Sequence, residues 1–160
     1  MAYATQAQLV PLRMSQKDLN ELCIDNIPGQ APIDPSSDEG LAIVANVTSL
    51  ALEEASGRVD SYCRGRYVTP LQPSDDVTAL TLDIAQYVLF SRRRTIKLTE
   101  AVQSRFDQAI AFLKDISAAK ASLDQPAADA QTPQSSIAGP QLSEKNHHLR
   151  FSDRQLKGFV

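Results

Sequence analysis

Apolar residues recur at three- and four-residue steps through the middle of the chain, and short stretches containing Pro, Gly and Ser interrupt the pattern. Leu41, Val44, Thr48, Ala51, Leu52, Ala55, Val59 and Tyr62 share one face at that spacing, which predicts a long helix over about Asp38 to Arg64. Ser37 or Asp38 stands where a cap accepts the first free amides, and Gly65 where a helix stops. TPLQPSDD follows, with Pro70, Pro73 and another Ser-Asp cap signal, so the chain reverses and an antiparallel neighbour is expected.

That neighbour spans about Ser74 to Arg93. Val77, Leu80, Ile84, Tyr87 and Val88 line one face, and Leu82, Ala85 and Leu89 widen it, which suits a central helix. Arg94 to Leu98 reads either as a tight connection or as a near-continuous bend. Beyond it, Val102, Phe106, Ala109, Ile110, Leu113 and Ile116 define a further helix over about Leu98 to Ser122, with Lys97, Arg105, Asp107, Lys114 and Asp115 on its polar side. Upstream, Ser15 and Asp18 form a carboxylate version of the capping box before a short helix, about Ser15 to Cys23. Residues 25–38 hold Pro28, Gly29, Pro32 and Pro35 and are expected as a loop.

The ends read differently. Residues 1–14 meet Pro11 and are expected as an arm, either extended or entering a first helical turn. Residues 124–141 are small, polar and Pro-containing, the composition of a linker. HHLRFSDRQLKGFV then restores Leu149, Phe151, Leu156 and Phe159 among Arg150, Arg154 and Lys157, so residues 142–160 read as a docking segment on the far side of a tether. The fold class expected is mainly α: a small antiparallel bundle of about four helices over residues 15–123, with extended N- and C-terminal arms.

Composition narrows the function. Sixteen Lys and Arg against 19 Asp and Glu give a formal charge of −3, so any nucleic-acid contact needs a local basic surface. Nine aromatics and no Trp leave little material for stacking single-stranded bases. The N-terminus lacks the charge pattern of a secretion signal, and no apolar run is long enough to cross a bilayer. Cys23 and Cys63 stand alone, outside any zinc or disulfide spacing, which suits a reducing cytoplasm.

Candidate chemistry is sparse. His147 and His148 are adjacent but have no third ligand at metal spacing, and Cys63 with either His lacks an orienting acid or an oxyanion loop. The glycines fit no nucleotide loop. Neither enzyme activity nor a cofactor or metal is expected. Arg92, Arg93 and Arg94 complement the dipole at a helix C-terminus, or else touch a neighbouring subunit or DNA, which leaves a small helical DNA-binding regulator as the alternative reading. Tyr62, Arg66 and Tyr67 gather two aromatics and a guanidinium at a helix end, a structural corner.

Five segments in order carry a resemblance: MAYATQAQLV, VDSYCRGRYVTPL, LTLDIAQYVLF, RFDQAIAFLKDIS and RFSDRQLKGF. Together they resemble the head-tail connector (adaptor, head-completion) family of Mu-type phages and prophages. Tyr62, Arg66, Tyr67, Pro70 and Leu71 match that family's helix-end corner. Asp83, Ile84, Ala85 and Tyr87 match its central helix, and Arg105, Phe106 and Leu113 its last helix. Arg150, Phe151, Arg154, Leu156, Gly158 and Phe159 match its terminal motif, whereas the Pro-rich segment 25–37 departs from the family's pattern. The resemblance implies a dodecameric ring that binds the portal protein and a downstream neck or tail-completion protein. Genomic DNA would pass through its channel without sequence-specific contact, and no membrane would be involved. It implies a place at the head-tail junction of the virion after assembly in the host bacterial cytoplasm. Leu149, Arg150, Phe151, Arg154, Leu156 and Phe159 would meet the portal or a neighbouring subunit.

Overall fold

Three serines begin three of the helices, as their positions require. In the computed structural model, which describes residues 2–25, 31–93 and 96–128, the Ser15, Ser37 and Ser74 hydroxyls accept from the amides of Asp18, Gly40 and Val77. Each satisfies a donor that the first helical turn leaves free. Among the described residues the elements are α1 (Gln6–Arg13), α2 (Gln16–Cys23), α3 (Asp38–Cys63), α4 (Asp75–Arg92) and α5 (Glu100–Ser117), with no strand beyond an isolated bridge between Tyr67 and Ala127. The fold is the mainly helical antiparallel bundle that the periodicity predicts. None of these helices is long and apolar enough to cross a membrane. Residues 129–160 lie outside the described residues, and with them the 142–160 segment and most of the 124–141 stretch.

α4 is the centre. Val77, Leu80, Thr81, Leu82, Ile84, Ala85, Gln86 and Leu89 are all buried on it, more than a single stripe, because α4 touches α1, α2, α3 and α5. The opposing wall comes from Val44, Leu52, Ala55 and Val59 of α3, and Leu113 and Ile116 of α5 close the core. Buried hydroxyls are spent locally: Thr48, Ser56 and Thr81 donate to the carbonyls four residues earlier at 2.7, 2.7 and 2.8 Å. Tyr87 and Phe106 stack with ring centres 3.8 Å apart, and the Arg58 guanidinium lies 5.8 Å from the Phe106 centroid, so α3, α4 and α5 meet along one seam.

The structure revises several local expectations. The N-terminal arm carries a helix of its own, so the described residues hold five helices where about four were expected. Pro11 sits inside α1 and removes one amide, yet Leu9 is fully buried and Gln86 donates to the Arg13 carbonyl at 2.8 Å, so packing on α4 holds the short helix. α3 ends at Cys63 and α4 at Arg92, each one residue early. Leu41, placed on the α3 core stripe, is 55% exposed. α5 starts at Glu100 after Thr99 and stops at Ser117 instead of continuing to Ser122, because Ala119 adopts φ 63° and the amides of Lys120 and Ala121 turn back to the Asp115 carbonyl. Gly40 is required where it stands: it is buried, and a β-carbon there would strike the Asp34 carbonyl oxygen.

Candidate functional site

The helix-end corner between α3 and α4 gathers distant parts of the chain. Arg66 points its guanidinium at the frayed end of α5, donating to the carbonyls of Ile116 at 3.0 Å and Ala121 at 2.7 Å. A cation placed there also complements the negative end of the α5 dipole. Its guanidinium also lies over Tyr67, with the guanidinium carbon 5.7 Å from the ring centroid. Tyr67 is buried, and its hydroxyl accepts the Leu123 amide at 2.8 Å. Tyr62 is half-buried against the core.

The chain that follows α5 is stitched to the same corner. Ala128 donates to the Arg66 carbonyl at 2.9 Å and Val68 to the Pro126 carbonyl at 3.3 Å, while Gln125 exchanges two side-chain bonds with the Gln72 backbone at 2.8 and 3.0 Å. Residues 125–128, near the start of the stretch expected as a linker, therefore pair with the corner. Polar backbone without a helix needs partners, and the corner supplies them.

Tyr3 fastens the N-terminus to the other side of this corner. Its hydroxyl donates to the Asp60 carboxylate and accepts the Leu71 amide at 2.8 Å, while its own amide donates to Ser56 at 3.1 Å and its carbonyl accepts from Thr78 at 3.2 Å. Burial, reinforced by the hydrogen bond to Asp60, pushes the Tyr3 hydroxyl up to about 12. Nothing in the spacing of the opening residues marks Tyr3, since its partners lie more than fifty positions away.

At the opposite end of α4, Arg92 donates to the Leu22 carbonyl at 2.8 Å and also reaches the Asp25 carboxylate. Arg93 meets the same carboxylate through Nε at 3.1 Å and donates to the Ile24 carbonyl. The two guanidinium groups thus cap α2, satisfying carbonyls that its last turn leaves open. Arg94 lies outside the described residues. So do His147, His148, Leu149, Arg150, Phe151, Arg154, Leu156 and Phe159.

Cys23 and Cys63 are both buried and free. Burial raises each thiol, Cys63 to about 11, the reverse of the shift that activates an attacking thiolate. Among the described residues no cluster of three His, Cys, Asp or Glu side chains is placed to hold a metal ion.

One surface feature escaped the periodicity. Leu50 is 58% exposed on the outer side of α3 and, with Val47 and Val88, lines an open groove of about 300 Å³ between α3 and α4. Its signal was present in the sequence, as a Leu standing off the α3 core stripe.

Residues 3–139 match the protein family described as Bacteriophage Mu, Gp36. No curated protein matches the chain.

Proposed function

The chain belongs to the Bacteriophage Mu, Gp36 family, and we propose that it is a structural head-tail connector, an adaptor that forms a ring on the portal protein and extends the DNA channel toward the tail. The observation that carries this reading is the family match over residues 3–139, which takes in the entire helical body. The geometry supports a building block. Arg66, Tyr67 and Tyr3 draw α3, α4, α5 and both flanking segments into one corner, and the Cys63 thiol is held in its unreactive form. Beyond that body the sequence places Leu149, Phe151, Leu156 and Phe159 among Arg150, Arg154 and Lys157, an apolar and basic segment suited to docking on the portal or on an adjacent subunit.

The DNA-binding alternative gains nothing from the geometry, since Arg92 and Arg93 already serve the carbonyls at the end of α2 and the Asp25 carboxylate. The test is assembly on purified portal protein. Removing residues 142–160, or substituting Phe151→Ala with Phe159→Ala, is expected to leave the helical circular dichroism intact and to abolish binding. Undiminished binding by both variants would sink the docking role.

A further inference from the structure

Beneath the N-terminal segment, α3 and α4 offer side chains to a backbone. The Ser56 hydroxyl accepts the Tyr3 amide at 3.1 Å, Thr78 donates to the Tyr3 carbonyl at 3.2 Å, and Gln86 donates to the Arg13 carbonyl at 2.8 Å. Two carboxylates take the side chains at the segment's ends: Asp60 accepts from the Tyr3 hydroxyl, and Asp83 from the Arg13 Nε at 2.6 Å. Between these ends Leu9 is fully buried in the core. Main chain caught by side chains on either side of one apolar anchor is how a protein holds a short helical peptide.

We propose that residues 2–13 are a strap seated in a peptide-binding site formed by α3 and α4, which they leave as a unit and which then accepts the same segment from a second copy of the chain. The occupant is the one the structure shows in place. The proposal goes beyond the connector reading and does not depend on it.

The strap has clear limits. Leu9 is the one buried side chain of α1, whereas α5 buries Val102, Ala109, Leu113 and Ile116. α3, α4 and α5 pack on one another, so the body stays closed when α1 leaves. α2 keeps its start as well, because the Ser15 hydroxyl accepts from Asp18 inside α2 itself. Between the two helices Met14 and Ser15 are extended, with φ −153° and −79°, and form a two-residue hinge. Off the body, eight residues containing Pro11 cannot persist as a helix in water, where even about 12–15 are marginal, so undocking and melting of α1 are one event. The surface uncovered carries Ser56, Thr78, Gln86, Asp60 and Asp83, polar groups that water can serve, which limits the penalty of opening.

Two measurements on the full-length chain test this. In hydrogen exchange, the α1 amides should report an opening with a shallower denaturant slope than the α4 amides, because less surface is exposed when the strap leaves than when the body unfolds. Equal slopes and equal protection for α1 and α4 would overturn the proposal, since the segment would then leave only with the whole fold. Next, a fluorescent peptide of residues 2–13 is added to the chain. The seated strap competes with it, so Leu9→Ala in the chain should tighten the apparent affinity for the peptide at least about tenfold. The same substitution in the peptide should remove binding. A Leu9→Ala chain that keeps its circular dichroism and binds no peptide would overturn the proposal. If Leu9→Ala prevents folding, the exchange slopes of the unmodified chain decide alone.

Discussion

Replacing Arg66 by Ala tests the corner at the residue that holds most of it. The side chain donates to two carbonyls, but they do not suffer equally. The Ile116 oxygen also receives the Ala119 amide at 3.1 Å and stays partnered, so the main loss is at Ala121, whose bond to Arg66 is 2.7 Å. A hydrogen bond to a charged group contributes about 1.5–3 kcal/mol, and the lower end applies because Arg66 is only half-buried and water can replace it. Loss of the guanidinium over the Tyr67 ring adds about 0.5 kcal/mol. The expected destabilisation is therefore about 2 kcal/mol, a drop of about 1 M in urea midpoint at a slope of about 2 kcal/mol per M. Arg66→Lys should recover less than half, because one ammonium cannot span both carbonyls as the fork does. Hydrogen exchange supplies the local reading: the Val68 and Ala128 amides, which join the corner to residues 126–128, should lose protection before the α4 amides do. A shift under about 0.5 kcal/mol, or full rescue by Lys, would refute the assignment of Arg66 as the clamp on the end of α5.

Other substitutions probe separate contacts. Tyr3→Phe should cost about 1–3 kcal/mol by stranding the Leu71 amide, and it should also change the alkaline limb of stability. The folded chain holds the Tyr3 proton up to about 12 against 10.0 when unfolded, so this contribution is complete below pH 10 and disappears as pH rises to 12. Urea titrations across that window should show a flatter decline in the variant, apart from the share from Cys63 between 9.0 and about 11, and identical slopes would contradict the Tyr3 contact. Arg92→Ala should lower the melting temperature more than Asp25→Ala, because the carboxylate is 53% exposed whereas the Leu22 carbonyl is one that the last turn of α2 leaves open; the opposite order would show that the ion pair dominates. Both cysteines should resist a disulfide reagent at pH 8 until the chain unfolds, and prompt reaction of either would contradict their burial.

The elements that depend on neighbouring residues were readable in the sequence. Ser15 with Asp18, Ser37 and Ser74 cap within three residues of themselves, and the wide apolar face of α4 announced a central helix. What escaped depends on distance. Residues 118–122 are Ala, Ala, Lys, Ala and Ser, all compatible with helix, and α5 stops before them because Ala119 turns left-handed and Arg66, some fifty positions away, takes up the freed carbonyls. α1 likewise survives Pro11 because Leu9 finds a place on the core and Gln86 caps the Arg13 carbonyl. Tyr62, Arg66 and Tyr67 were legible as a corner from their types and crowding, but the Tyr3, Asp60 and Leu71 connection beside them joins three separate segments and has no local signature. Arg92 and Arg93 stood at a helix C-terminus as expected, yet the carbonyls they satisfy belong to α2.

The mass of the full-length protein in solution, measured by sedimentation with and without purified portal protein, bears most directly on the connector role. A portal-dependent rise to a particle containing many copies of the 17.5 kDa chain is the expected result. A chain that sediments at its monomer mass at every ratio of portal protein would contradict it.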